Sequence, residues 1–230
     1  MTGTIINATA IIVAGLIGLT LRKGIPDNIS RTMQDGLGLL IIIIGIQYGL
    51  KADNLAVIGI SLALGAAVGE WRRWEARLEH LGQRLQKRFG NGDSSFVKGF
   101  VSASLLFCVG AMAVVGALED GLTGNYQILL VKSMLDAIFS MLFAASMGIG
   151  VLFSAIPVLL YQGAISLGAG FLKPILTGAM LDNITSLGGV LIAGLGLNIL
   201  GVTRIRVANL LPGILLLPLI MYIFQTLSWL

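Results

Sequence analysis

Lys132 and Asp136 are the charged residues of this chain whose type and spacing most directly permit chemistry. They stand four apart in the apolar run Gln127 to Met147, so a helix puts them on one face, where each charge lowers the penalty for burying the other. With a rise of 1.5 Å per residue the carboxylate lies about 6 Å along the helix from the ammonium-bearing position. Lys132 has a stem long enough to carry its charge to an interface. Asp136 has no such reach, which makes it the better candidate for holding a cation or proton, the plain alternative being a structural ion pair.

Other polar groups fall within apolar stretches. Pro157 lies inside the run Ile149 to Phe171, where it removes a backbone donor, frees the carbonyl of Phe153 and breaks or kinks the helix. Gln162 adds an amide five residues later, and Gln47, Asn198, Asn7 and Asn209 are further amides at or within apolar segments. Taken singly, each reads more readily as a hydrogen bond between helices than as a ligand. Ser133, Ser140 and Ser146 read as packing positions for the same reason. We take Asp136, Lys132, Gln162, Gln47 and Asn198 as the candidate substrate- or ion-binding residues, with Pro157 as a helix break.

Catalytic signals are weak. His80 is the only histidine, so no histidine metal cluster or His-based dyad can form, and no Walker-type loop is present. The glycines around Gly194 and Gly196 lie in an apolar segment and not between a soluble strand and helix, which argues against a dinucleotide site. Cys108 is the single cysteine, within an apolar run, and reads as filler. The expectation is a protein that is not an enzyme and uses no cofactor, with any metal left open.

The elements that must position these residues are membrane spans. Hydrophobic residues make up 56% of the 230 and charged residues 11%, against about 25% charged in an ordinary soluble domain. The apolar residues form long blocks without period-2 alternation, as in Leu39 to Ile46, which excludes a barrel and predicts an all-α polytopic fold. No cleavable leader pattern opens the chain, so the first block reads as a retained helix. Eight spans are expected: Asn7 to Leu21, Gly36 to Leu50, Leu55 to Gly69, Phe96 to Leu118, Gln127 to Met147, Ile149 to Phe171, Ile184 to Leu200 and Val207 to Phe224. They form a single transmembrane domain over 1–230.

Twelve of the fifteen basic residues then fall on one side: Arg22, Lys23 and Arg31, the seven from Arg72 to Lys98, and Arg204 with Arg206. Lys51, Lys132 and Lys173 remain. The asymmetry predicts a bacterial inner (cytoplasmic) membrane protein with that side cytoplasmic and both termini periplasmic or extracellular. The net charge of +4 therefore reflects topology, and nucleic acid is not an expected partner. This topology requires Gln127 to Phe171 to cross twice, turning near Gly148 and Gly150. Within 71–90, Trp71, Trp74, Leu78, Leu81, Leu85 and Phe89 recur at spacings of three or four opposite Arg73, Arg77, Arg84, Lys87 and Arg88. That pattern predicts an amphipathic helix on the cytoplasmic interface, followed by a turn over Asn91 to Ser95.

A faint internal repeat links the first three spans to the last three. Gly15, Ile17, Leu19 and Pro26 match Gly163, Ile165, Leu167 and Pro174. Gly38, Leu40, Ile41, Gly45, Ile46 and Gln47 match Gly189, Leu191, Ile192, Gly196, Leu197 and Asn198. Corresponding spans of the two copies lie five apart in order, so they would be inverted, a pattern of secondary transporters.

The runs Asn7 to Gly15, Lys132 to Ala137, Gly148 to Pro157, Leu159 to Gly163 and Arg206 to Pro212 resemble the YqgA-like family of bacterial inner-membrane proteins, a domain-of-unknown-function family. The likeness covers nearly the whole chain. It implies a multi-spanning inner-membrane protein described as a transport candidate, and it supplies no active site to carry over. The expected function is a small secondary transporter or ion-coupled permease of unknown substrate. The alternatives are a passive ion or solute channel and a non-transporting scaffold or regulator acting through the basic helix. Expected partners are the lipid bilayer, a small solute or ion, and further copies of the chain in a homo-oligomer.

Overall fold

The structure is a computed structural model that describes residues 1–22, 24–52, 54–90, 95–172 and 178–226. Lys23, Lys173, Pro174 and the 91–94 part of the expected turn lie outside the described residues. The protein is all-helical: α1 (Thr2–Arg22), α2 (Asp27–Gly49), α3 (Leu55–Arg72), α4 (Trp74–Phe89), α5 (Phe96–Cys108), α6 (Ala111–Thr123), α7 (Gln127–Met147), a 3-10 segment (Ile149–Ser154), α8 (Ala155–Leu167), α9 (Ala169–Leu172), α10 (Gly178–Ile199), α11 (Val207–Leu210) and α12 (Pro212–Thr226). Among the described residues seven helices are long and apolar enough to cross a membrane, and eight spans result if α5 and α6 count as one. Several spans exceed the apolar cores expected for them, because first turns such as Asp27 to Ser30 are polar and escape a hydropathy reading; the sixth ends earlier, at Leu167.

Two elements depart from expectation. The fourth span is not one straight helix: α5 and α6 meet at 61°, and Gly110, at φ 132°, occupies a backbone region that only glycine adopts freely. The amphipathic helix begins at Trp74 and not at Trp71. Arg73 is left-handed (φ 52°, ψ 51°) and caps α3, so Trp71 belongs to the preceding span, where it is 78% exposed. Pro157 lies in the middle of the span Ile149–Leu167, where the helix changes type: it is the third residue of α8, just after the 3-10 segment, so its missing donor falls where the hydrogen-bond pattern switches.

The chain divides into two compact units. The first comprises Met1–Leu37, Glu79–Cys108 and Met112–Leu172. In it α1 runs alongside α7 in the same direction: Gly3 lies against Leu129, Ser140 bonds the Ile11 carbonyl at 2.7 Å, and Gly18 packs on Met141. α8 runs the opposite way along α1, with Gly163 near Met1 and Gln162 beside Asn7. The run from Gln127 to Phe171 therefore makes two passes. Its turn needs both glycines: Gly148 has φ 87°, and a methyl on Gly150 would overlap the Phe96 carbonyl. The last carbonyls of α7 are satisfied from outside the helix. Ser30 and Gln34 donate to Ser146 at 2.9 and 3.0 Å, and Ser95 donates to Met147 at 2.8 Å.

The second unit comprises Gly38–Leu78, Val109–Ala111 and Lys173–Leu230. Here α2 and α10 touch backbone to backbone, Gly38 against Gly196 and Gly45 against Gly189, the close approach that small residues allow where lipid supplies no hydrophobic drive. α3 packs on α12 through Gly65 and Gly213. At the α3–α4 corner, Asn209 accepts from the Glu75 N–H (2.7 Å) and donates to Glu70 (2.6 Å), Glu75 accepts from the Ala208 N–H (2.7 Å), and Arg206 pairs with Glu70. Gly69 lies so close to Asn209 that a methyl there would overlap its carbonyl.

Two alanine substitutions in neighbouring helices should have opposite signs. Gly45→Ala forces a methyl into the α10 backbone and should destabilise the protein by about 1–3 kcal/mol. Gly59→Ala meets nothing within 4 Å and should be neutral or stabilise by up to about 1 kcal/mol through helix propensity. Denaturant unfolding in detergent micelles measures both.

Candidate functional site

α7 is sorted by polarity in the sense opposite to a soluble helix. Leu130, Val131, Met134, Leu135 and Ile138 are exposed, while Leu129, Lys132, Ser133, Asp136, Ser140 and Phe143 are buried. In a span, polar groups belong inside and apolar ones against lipid. The inward stripe meets a complementary stripe of α1, in which Gly3, Thr4, Asn7, Ile11, Gly15 and Gly18 are buried. The glycines let α1 approach, and Asn7 then reaches the acidic side chain.

Lys132 pairs with Asp136, and both are nearly sealed, at 5% and 6% exposed. Lys132 thus keeps its charge inside the helix bundle and does not reach for an interface. Asn7 donates to the same oxygen, Oδ2 of Asp136, at 3.0 Å, and lies 3.4 Å from the Gln162 Oε1. Four residues from α1, α7 and α8 therefore converge, with Asn7 and Gln162 fully buried. Asn7 Oδ1 and Gln162 Nε2 have no hydrogen-bond partner. Each such atom costs about 1–3 kcal/mol in a dry interior. An acceptor and a donor thus lie open beside the ion pair. The field of Lys132 and Asp136 also reaches Cys108 on α5, which is within electrostatic range of Tyr161.

Of the residues singled out in the sequence, Asp136, Lys132 and Gln162 come together. Gln47 and Asn198 lie in the second unit. Gln47 is exposed on α2. Asn198 is saturated by its own loop: it donates to the Ile205 carbonyl (2.6 Å) and accepts from the Ile205 N–H (2.8 Å) and the Thr203 hydroxyl (2.9 Å). Pro157 stands one turn before Tyr161 on α8, outside the polar cluster. Ser133 bonds back to Leu129 of its own helix, and Ser140 ties α7 to α1. Among the described residues no group of three or more His, Cys, Asp or Glu side chains is placed to hold a metal.

Sequence reasoning set Asn7 aside as a generic interhelical amide, although its four-residue phase with Gly3 and Ile11 put it on the packed face of α1. It missed Asp120 by ending the fourth span at Leu118. Asp120 lies within α6, 3% exposed, on the stripe of buried Ala113 and Ala117. It accepts from the Gly3 N–H at 3.0 Å.

These helices and their inward polar cluster define an all-α polytopic membrane protein. The family described as "Protein of unknown function (DUF554)" matches residues 2–222, and the chain belongs to it. It is 33% identical over 219 residues to "Uncharacterized protein YqgA" of Escherichia coli (strain K12), covering 93% of each chain. It is 32% identical over 229 residues to "Uncharacterized membrane protein YdfK" of Bacillus subtilis (strain 168), covering 98% of this chain and 97% of that one. No solved structure matches.

Asn7→Ala removes the donor shared by Asp136 and Gln162 and should destabilise the protein by about 1–3 kcal/mol. Asn125→Ala, which removes an exposed bond to Glu119, should stay within about 0.5 kcal/mol. Unfolding titrations of the two variants in the same detergent make the comparison.

Proposed function

We propose that the protein is a small ion-coupled secondary transporter of the bacterial inner membrane, and that Asp136 is the group whose occupancy by a cation or proton couples the movement of a solute to a gradient. The observation that carries this reading is the sealed cluster of Lys132, Asp136, Asn7 and Gln162, in which a charge pair lies beside an open acceptor and an open donor. Ionisable groups inside membrane spans are expensive, and they recur along ion and substrate pathways. Lys132 balances the carboxylate when no ion is bound and yields it when one arrives.

Inverted repeats support the same class. Gly38 and Gly45 match Gly189 and Gly196 in sequence, and in the second unit they pack crosswise, Gly38 on Gly196 and Gly45 on Gly189. A two-fold axis relating two copies produces this exchange of partners. In the first unit α1 and the matching α8 are likewise antiparallel. The basic residues favour the orientation with both termini outside the cytoplasm. They also favour α4 as a helix on the anionic cytoplasmic leaflet, where Arg77, Arg84, Lys87 and Arg88 are exposed beside Leu81 and Phe89. A chain of 230 residues encloses little volume by itself, and we assign it a homo-oligomeric state.

The test is uptake by the purified protein in proteoliposomes, with a panel of small solutes offered under imposed proton and sodium gradients. Gradient-dependent uptake is expected, and Asp136→Asn, which keeps shape and removes charge, should reduce it to the level of empty vesicles. Flux that runs without a gradient and is unaffected by one identifies a channel. Full coupled activity in Asp136→Asn makes Asp136 structural and overturns the assignment.

A further inference from the structure

Asp120 is a second buried carboxylate of the first unit, and its surroundings repeat those of Asp136 one helical turn away. Asp136 bonds the side chain of Asn7, and Asp120 bonds the backbone of Gly3 on the same helix. Four residues of α1 separate the two contacts, about 6 Å along the axis. α8 runs antiparallel and supplies the third member at each level. Gln162 lies beside Asn7. Ser166, one turn further on, is at the level of Asp120, since Gly121, next to Asp120, packs directly on the Ser166 backbone. Each level thus holds one carboxylate, one position of α1 and one polar side chain of α8.

Each level holds unsatisfied atoms. Thr4 Oγ1 and Ser166 Oγ are buried without a partner, as are Asn7 Oδ1 and Gln162 Nε2, and the four residues are 0–5% exposed. Apolar residues would be cheaper at these positions unless the groups serve a species that passes through. We propose that Asp120 is a second proton-binding carboxylate, and that the Thr4 and Ser166 hydroxyls relay protons between it and Asp136. This rests on the reading of Asp136 as the coupling group and names the coupling ion as the proton. A proton bound at one carboxylate leaves it neutral. A hydroxyl, unpartnered at rest, turns into reach of the protonated carboxyl, accepts that proton on its oxygen and releases its own towards the other carboxylate, so the hydroxyl is unchanged and one carboxylate is neutralised as the other is charged.

A metal cation fits less well. Oδ2 of each carboxylate is met by nitrogen donors. Asp136 Oδ2 faces Lys132 and Asn7, while Asp120 faces the Gly3 N–H and, at 3.1 Å, the α-amino nitrogen of Met1. A cation such as calcium or magnesium needs about six oxygen ligands. Among the described residues, the other titratable groups near these levels are Cys108 and Tyr161, within electrostatic range of the Lys132–Asp136 level or of each other, and Glu119 beside Asp120, which bonds Asn125.

Infrared difference titration of the full-length protein in lipid resolves protonated carboxyl groups, and a pH-sensitive dye inside proteoliposomes reports proton flux. Two buried carboxyl steps are expected. Asp120→Asn, which keeps an acceptor for Gly3, should remove one step, move the other by at least about one pH unit as for two interacting sites, and lower proton flux at least tenfold. Thr4→Val and Ser166→Ala should retain both steps and lower flux; they decide the matter if the Asp120 variant does not fold. A single carboxyl step, lost only in Asp136→Asn, with wild-type flux in the Asp120, Thr4 and Ser166 variants, overturns the relay and leaves the Asp136 reading standing. Wild-type flux in Asp136→Asn together with a loss in Asp120→Asn overturns the Asp136 reading instead. Absence of any carboxyl titration overturns both.

Discussion

Burying an ammonium and a carboxylate in an apolar bundle is the constraint on which the first unit depends. Several kcal/mol of desolvation per ion is recovered only if the two charges meet and the remaining lone pairs find donors. The i, i+4 spacing of Lys132 and Asp136 on α7 meets the first condition. The second requires α1, whose glycines bring Asn7 to the carboxylate, and α8, which places Gln162 beside Asn7. α8 arrives from the correct side only because Gly148 and Gly150 permit a turn after α7. The same turn leaves α7 with bare terminal carbonyls, and hydroxyl and amide groups of Ser30, Gln34 and Ser95 close them.

The second unit rests on a different device. Its helices are held by backbone contact at small residues, and its corner by a hydrogen-bonded clamp of Glu70, Glu75, Arg206 and Asn209. This accounts for much of the run from Arg206 to Pro212. Arg206 pairs with Glu70, the Glu75 carboxylate accepts from the Ala208 N–H, and Asn209 serves both acidic residues through its two amide atoms. Neither glutamate is then available as an intramembrane ligand, and the charged residues at this corner act in shaping the α3–α4 bend.

Hydropathy made the helical membrane fold legible, and the four-residue spacing of Lys132 and Asp136 survived into the structure as a contact. Gln162 could be named because an amide in an apolar run is conspicuous. Its partner Asn7 is equally conspicuous, yet choosing it over Gln47, Asn198 and Asn209 requires knowing which helix packs on which. Asn198 and Asn209 satisfy loops and caps, a distinction that depends on chain geometry beyond the reach of composition. Asp120 was hidden because an acidic residue beside Glu119 reads as a loop. Only the bend at Gly110 starts a new helix that carries it inward. Pro157 was conspicuous as a proline in an apolar run, but the 3-10 segment that precedes it depends on local packing and is seen only in the structure.

The central claim is that the Lys132–Asp136 pair is kept for function and not for folding. Replacing both members by apolar residues of similar size, Lys132→Met with Asp136→Leu, separates the two roles, since exchanging a buried ion pair for well-packed hydrophobic groups is often neutral or stabilising. Unfolding of the double variant in detergent should begin no earlier than that of the wild type, while its gradient-coupled uptake in proteoliposomes should vanish. A double variant that transports like the wild type would contradict the account.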